Sequence, residues 1–363
     1  MNVLLLSFDK KILNKETESY ERMTRYAEHT SMLGVIVLSR CEEEGVEHGS
    51  FIATGFTGNP ITRLWKAYKT LKRWNKKYNA NIISSQEPFE SGFIAWLVTR
   101  KSKAALEVQL HGDFYGNSFW KNQSWINKIR AKIGLFVLRR AESVRVVSQR
   151  IKKSLTEKGI SENKITVTPV AAQSTSEMTE HESHDDFTVL VVSRLTKEKN
   201  VTLLTRAMPY ICGSIPGAQC LVIGDGPQKN EILASAKSIG IAESIHLHGY
   251  KRDLSHYYAH ADVVVIPSHT EGWGRVAIEA MSHKKPIVMT DVGVAGEIIK
   301  HNHNGLVIPE NDAGALAEAV IRLRENKELA KQLATQARRD FESLAQEKDT
   351  QEIMIETWKK MLV

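Results

Sequence analysis

ADVVVIPSHTEGWGRVAIEAMSHKKPIVMTDVG, Ala261 to Gly293, decides the fold. Val263 to Pro267 is an apolar run of strand length, and a polar loop follows it. Val276, Ile278, Ala280 and Met281 then read as a helix, and Pro286 to Thr290 as a second strand. The order is βαβ, with a loop at the carboxyl end of its first strand. In open α/β sheets ligands bind outside the carboxyl ends of strands, so chemistry is expected in the loop from His269 to Gly274. Two carboxylates frame that loop, Glu271 within it and Glu279 inside the following helix.

The same alternation extends in both directions. Upstream in the second half stand the strands FTVLVVS (Phe187 to Ser193), CLVIGDGP (Cys220 to Pro227) and SIHLHGY (Ser244 to Tyr250), with helical patterns between them. The first half repeats the scheme with VLLLSF, VIVLS, NIISS, ALEVQLHGD and VRVVS. Strands alternating with helices predict parallel sheets covered by helices. Between Thr168 and Asp186 the sequence turns polar and aperiodic. The expected organisation is therefore an N-terminal Rossmann-like domain over 1–170, a linker over 171–186, a C-terminal Rossmann-like domain over 187–345, and a last helix over 346–363 packing back on the first domain. Asp9 to Glu21 contains no glycine, so the first strand lacks a dinucleotide fingerprint.

A chain of 363 residues is too long for one ordinary core, which agrees with two domains. Its content of 42% hydrophobic and 25% charged residues is that of a soluble globular protein. Three cysteines, Cys41, Cys212 and Cys220, lack metal-ligand spacing, which argues against a disulfide framework or a zinc site and for a reducing cytoplasm. The apolar run in MNVLLLSFDKK is too short for a signal peptide or a membrane span.

Charge is unevenly divided. Residues 1–170 hold 28 Lys and Arg against 16 Asp and Glu, and the remainder holds 21 against 26. The first half is the one expected to meet an anionic partner. Within it, RLWKAYKTLKRWNKKY (Arg63 to Tyr78) forms an amphipathic helix. Leu64, Ala67, Tyr68, Leu71, Trp74 and Tyr78 share one arc, and Lys66, Lys69, Lys72, Arg73 and Lys76 lie on the other. Two readings are open: an interfacial helix facing anionic lipid headgroups with Trp65 at the boundary, or a solvated helix whose apolar stripe packs on its own sheet. A second basic, aromatic stretch runs from Phe119 to Arg140.

A pair of glutamates eight apart says little alone. Its neighbours say more. Gly272, Trp273 and Gly274 offer a backbone that a ligand can approach closely, and the helix starting near Arg275 points its positive end at the same place, which suits a phosphate. Arg194 and Lys199 follow the strand FTVLVVS and supply a fork and a point charge for a pyrophosphate. A turn, Gly224-Asp225-Gly226, lies at the end of the next strand, and Glu279 suits vicinal hydroxyls such as those of ribose. In the first half, His111 stands where ALEVQL runs out, beside Gly112.

SRLTKEKN (Ser193 to Asn200), VIGDGP (Val222 to Pro227), HLHGY (His246 to Tyr250), EGWGRVAIEAM (Glu271 to Met281), KKPIVMTDVG (Lys284 to Gly293) and NGLVIPENDAGALAEAV (Asn304 to Val320) together resemble the retaining family 4 glycosyltransferases. The resemblance covers nearly the whole second half; in the first it rests on QLHGDF and the strand before Val147. It implies the GT-B fold, two Rossmann-like doubly wound α/β domains facing a central cleft. It implies that Arg194 and Lys199 bind the diphosphate of a nucleotide sugar, that Glu279 binds ribose, and that Glu271 and the backbone of Gly272, Trp273 and Gly274 hold the donor sugar. Gly224 would lie in the donor site, Val276 would offer its N–H to phosphate, and His111 would act near the transferred sugar. The resemblance further implies retention of anomeric configuration, no obligatory metal and no cofactor. The partners expected are a nucleotide-sugar donor, in the first instance a UDP-sugar, and a lipid-linked or glycan acceptor in surface polysaccharide or glycolipid synthesis. The expected place is the cytoplasm, peripheral to the inner face of the plasma membrane, with no nucleic acid involved. Two features depart from the family. The glycine-rich loop after the first strand is missing, and Asn-Gly-Val-Asp is replaced by Pro169-Val170-Ala171-Ala172. A GT-B epimerase or phosphorylase, and a non-enzymatic binder of anionic surfaces, are the alternatives.

Overall fold

The computed structural model describes residues 1–41, 45–170, 186–344 and 350–362. The chain forms two compact units, Met1–Pro169 together with Lys348–Val363, and Val170–Glu347. Apart from Asp186, the segment expected as a linker lies outside the described residues.

The first unit is built on β1 (Asn2–Ser7), β2 (Met32–Arg40), β3 (Gly45–His48), β4 (Phe51–Phe56), β5 (Ile82–Ser85), β6 (Ala105–Leu110), β7 (Ser143–Val146) and β8 (Ile165–Val167). Their order in the sheet is β3-β4-β2-β1-β5-β6-β7-β8, parallel except for the β3–β4 pair. Seven successive residues of β2 are buried, as expected of a parallel strand covered on both faces. The β3–β4 hairpin was not expected. Its edge strand β3 has no buried residue and so leaves no apolar alternation to read; the turn between the strands uses Gly49 at φ +57°.

The helix Pro60–Tyr78 begins with the Asn59 side chain accepting from the N–H of Thr62 and with proline in its first turn. It buries Ala67, Thr70, Leu71 and Trp74. Gly34 of β2 makes room for it: a Cβ there would lie 3.0 Å from the Trp74 ring and 2.7 Å from Leu4. The apolar stripe therefore packs on its own sheet and is not available to lipid. On the open side remain the basic residues with Ile61, 80% exposed, and Trp65, whose ring carries the Lys69 ammonium at 3.5 Å. The final helix, Thr350–Lys360, places Met354, Ile355 and Trp358 in the same core as Val3, Leu5, Val35 and Phe51.

The second unit contains β9 (Thr188–Val192), β10 (Gln219–Ile223), β11 (Ile245–Gly249), β12 (Val263–Ile266), β13 (Ile287–Thr290) and β14 (Leu306–Ile308), all parallel, in the order β11-β10-β9-β12-β13-β14. The stretch Ala261 to Gly293 becomes β12, the helix Arg275–Ser282 and β13, as its pattern required. Strand order runs outward from β9 to β11, then restarts on β9's other side with β12. The switch point lies between β9 and β12. In the first sheet the corresponding switch lies between β1 and β5.

Glu87 stands just beyond β5, at that first switch point. Its carboxyl accepts weakly from the N–H and Oγ of Ser91, both at 3.4 Å. Burial, and then the neighbouring Glu90, push its pKa up to about 7, against the pull of Ser91 and Arg130. A carboxyl whose folded pKa is raised contributes stability that is complete below the unfolded value and is lost as pH rises through the folded one. Glu87→Gln is expected to raise the unfolding free energy from urea denaturation at about pH 8, by up to about 3 kcal/mol, and to match the native protein near pH 4. Parallel pH dependences of the two proteins would show that Glu87 does not titrate in this way.

Candidate functional site

Three adjacent strands of the second unit, β10, β9 and β12, end at one sheet edge. Gly224 follows β10, Arg194 and Lys199 follow β9, and Glu271 follows β12. The turn after β10 lies against the backbone that leaves β9. Leu195 N–H donates to Asp225 O at 2.9 Å and Gln228 N–H to Leu195 O at 2.9 Å. Gly224 has φ +141°, and a Cβ on it would sit 1.8 Å from Ser193 O; one on Gly226 would sit 2.5 Å from Leu195 O. Only glycine allows that approach.

Glu271 is held from three directions. Lys199 Nζ lies 2.6 Å from Glu271 Oε1, Ser268 Oγ donates to the same oxygen at 2.8 Å, and Gly293 packs beneath, where a Cβ would lie 2.7 Å from Glu271 Cβ. The two charged side chains are 18% and 12% exposed. Removing one partner leaves an uncompensated charge in a water-poor place, which costs about 3–5 kcal/mol where burial is complete. His269 N–H donates to Glu198 O at 2.8 Å, tying the β12 loop to the β9 loop.

The Trp273 side chain is 6% exposed and belongs to the interior, so this tripeptide offers a ligand only its backbone and the two glycines. Gly274, at φ +101°, is the N-cap of the helix Arg275–Ser282 and has no side chain with which to cap it. Of the first-turn N–H groups, that of Ala277 donates to Gly274 O at 2.9 Å, while Val276 N–H stands ahead of the helix's own ladder at its positive end. Glu279 lies one turn in. Its Oε2 accepts from Tyr258 Oη at 3.0 Å, and Arg275 approaches its Oε1 at 4.0 Å. Burial raises the Glu279 pKa, while the hydrogen bond from Tyr258 and the charge of Arg275 oppose the rise. Tyr258 is 1% exposed and stacks on His283 with ring centroids 4.5 Å apart.

Lys199 and Glu271, 72 residues apart, are thus brought into contact. Arg194 is not in that contact; its side chain is 72% exposed and pairs with Glu198 at 3.3 Å. Tyr258 escaped the sequence reading, since its tie to Glu279 spans 21 residues and leaves no local signal. Glu87 escaped it for the same reason: its titration depends on burial.

His111, Lys66, Lys69, Lys72, Arg73 and Lys76 belong to the first unit. His111 follows β6, with Nε2 3.3 Å from Gln109 Oε1. The residue as a whole is exposed; the protein beside its ring, and then the charges of Arg145 and Arg22, lower its pKa below the ordinary histidine range. Of the five basic residues, Lys66 is half-buried and the others are exposed on the helix Pro60–Tyr78. Among the described residues, no group of three or more His, Cys, Asp or Glu is placed to hold a metal ion, and no helix is long and apolar enough to cross a membrane.

Two family models match the chain, Glycosyltransferase Family 4 over residues 33–171 and Glycosyl transferases group 1 over residues 174–340. A similar curated relative is an uncharacterized glycosyltransferase of Methanocaldococcus jannaschii, 32% identical over 158 residues, 43% of this chain and 40% of that one. The chain thus spans about two fifths of that relative's length. Among solved structures, sucrose-phosphate synthase from Thermosynechococcus elongatus superposes with a TM-score of 0.78 at 19% identity, covering 99% of this chain and 98% of that one. Anabaena HepE in complex with UDP gives 0.75 at 17% identity, covering 99% and 100%. At such identities these likenesses speak for the fold alone. With both family models in chain order, one on each of the two parallel-sheet units, this chain belongs to the glycosyltransferases, of group 1 and family 4, with the GT-B fold.

Proposed function

We propose that the protein transfers a hexose from a nucleotide sugar, a UDP-sugar, to a lipid-linked or glycan acceptor in surface polysaccharide or glycolipid synthesis, with retention of configuration and without an obligatory metal. The observation that carries this reading is the Lys199–Glu271 contact at the β9/β12 switch point, beside a helix start that no side chain caps. Departure of a nucleoside diphosphate leaves negative charge on phosphate and oxocarbenium character on the sugar. Lys199, Arg194 and the N–H of Val276 answer the first; Glu271 answers the second. In this reading Lys199 turns to the diphosphate when the donor binds, and Glu271, with the backbone of Gly272, Trp273 and Gly274, holds the sugar hydroxyls.

Glu279 accepts from the ribose hydroxyls through Oε1, because Tyr258 occupies Oε2. Gly224 leaves room for the donor's nucleotide. His111 serves the transferred sugar as a hydrogen-bonding group. The choice of UDP is supported by HepE having been solved with UDP. The exposed row Lys69, Lys72, Arg73 and Lys76, with Lys66, faces the anionic inner leaflet in this proposal, as a peripheral cytoplasmic contact made by charge and not by the buried stripe.

Glu271→Gln keeps the shape and the Ser268 and Lys199 hydrogen bonds while removing the charge. It is expected to lower kcat by about 10²–10³-fold while the protein stays folded, with the melting temperature lowered by the Lys199 charge left without its counter-ion. Undiminished transfer by this variant would refute the assignment. In a panel of UDP-, GDP- and ADP-sugars, the UDP-sugar should give the largest thermal stabilisation, and a labelled acceptor should appear as product; donor turnover with no glycoside formed would instead favour an epimerase or phosphorylase. Replacing Lys69, Lys72, Arg73 and Lys76 by Gln should release the protein from anionic liposomes in a sedimentation assay, and unchanged sedimentation removes the membrane contact from the proposal.

A further inference from the structure

The first unit holds a buried polar cluster to which the transfer reaction gives no task. Along β6 side chains alternate, so Glu107 and Gln109 share one face, and His111 is the next position in that row. The sheet register sets Ser84 of β5 opposite Glu107 and Arg145 of β7 opposite Gln109. Glu107 and Ser84 are fully buried; Gln109 is 2% exposed and Arg145 7%. Glu107 Oε2 accepts from Ser84 Oγ at 2.6 Å, from the indole N–H of Trp358 at 3.0 Å and from Gln109 Nε2 at 3.3 Å. At the other end of the amide, Arg145 Nη1 donates to Gln109 Oε1 at 3.0 Å, and His111 Nε2 lies 3.3 Å from the same oxygen.

The outer groups of this row fix the middle one. A guanidinium has only donors and a carboxylate only acceptors, so the Gln109 amide must turn its oxygen to Arg145 and its nitrogen to Glu107. That oxygen can only accept, so the imidazole nitrogen facing it must bear the hydrogen. We infer that Glu107, Gln109 and Arg145 form a tautomer lock that holds His111 with its proton on Nε2 and a lone pair on Nδ1. The Arg145 guanidinium, bonded to the same amide oxygen as the ring, disfavours a second proton on it. Trp358 belongs to the same lock, since its N–H is one of three donors fixing the Glu107 carboxylate. These are positioning residues. They leave His111 able to accept a hydrogen bond at Nδ1 and unable to donate one there, so a sugar hydroxyl that meets Nδ1 must be the donor. That last consequence rests on the role proposed above for His111; the lock itself does not.

The test is the tautomer of His111 in the full chain labelled with ¹⁵N-histidine. A long-range ¹H–¹⁵N correlation spectrum at about pH 7.5, with the resonances assigned by their loss in His111→Gln, is expected to show protonated Nε2 and unprotonated Nδ1. A proton on Nδ1, or an imidazolium, overturns the lock, and this reading needs no variant of the cluster to fold. Arg145→Met removes the donor that anchors the amide oxygen and leaves its orientation to Glu107 and Ser84 alone, and the spectrum should then show a second tautomer beside the first, with Arg145→Lys restoring the single form. A pure Nε2–H form in a folded Arg145→Met protein overturns the part assigned to Arg145. Undiminished transfer by His111→Gln would cancel the catalytic role of His111 alone, whereas the wrong tautomer cancels the lock whatever the activity.

Discussion

A parallel sheet delivers the carboxyl end of every strand to one edge, and a sheet whose strand order reverses opens a gap at that edge. Much else in the second unit follows from this constraint. Because β9 and β12 are neighbours while their following connections leave in opposite directions, the loops after them are free to approach each other. The Lys199–Glu271 contact, the His269 to Glu198 backbone hydrogen bond and the fit of Gly293 under Glu271 all lie in that gap. Glycines are needed there for a steric reason. The turn after β10 could not lie against Ser193 with any side chain in place of Gly224.

The two units treat buried polarity differently. In the second, a cation and an anion meet with a little solvent access and with one further donor, Ser268. In the first, Glu107 lies entirely out of solvent and is met by three donors. All three donors meet Oε2, and the cost of breaking such a buried set gives it one arrangement. The first kind of site suits exchange of partners and the second suits fixed geometry.

What could be read from the sequence divides along the same physical line. Strands such as FTVLVVS and VIVLS, and the βαβ of Ala261 to Gly293, announce themselves because burial on both faces demands unbroken apolar runs. Glu271, Lys199 and Gly224 could be picked out through a family resemblance whose motifs sit at strand ends. The apolar arc of the helix Pro60–Tyr78 was legible as an arc, but its partner was not, since periodicity reports that a face is covered and not by what. Gly34, the residue that admits Trp74, carries no mark of that use. The β3–β4 hairpin was invisible because an exposed edge strand needs no pattern. The bond from Tyr258 to Glu279, the raised pKa of Glu87 and the alignment of Ser84, Glu107, Gln109 and Arg145 all depend on register or burial, which local sequence does not encode.

The packing of Trp358 into the first unit also governs when that unit can be finished. Thr350, at the start of the last helix, donates a hydrogen bond to Pro169 O across 181 residues of chain. At synthesis rates of about 5–20 residues per second, that interval lasts roughly ten to forty seconds. Throughout it, Val3, Val35 and Phe51 have been made while Met354, Ile355 and Trp358, which share their core, have not. The unit begun before the other is therefore completed after it, and the core face that its last helix covers stays open for that interval.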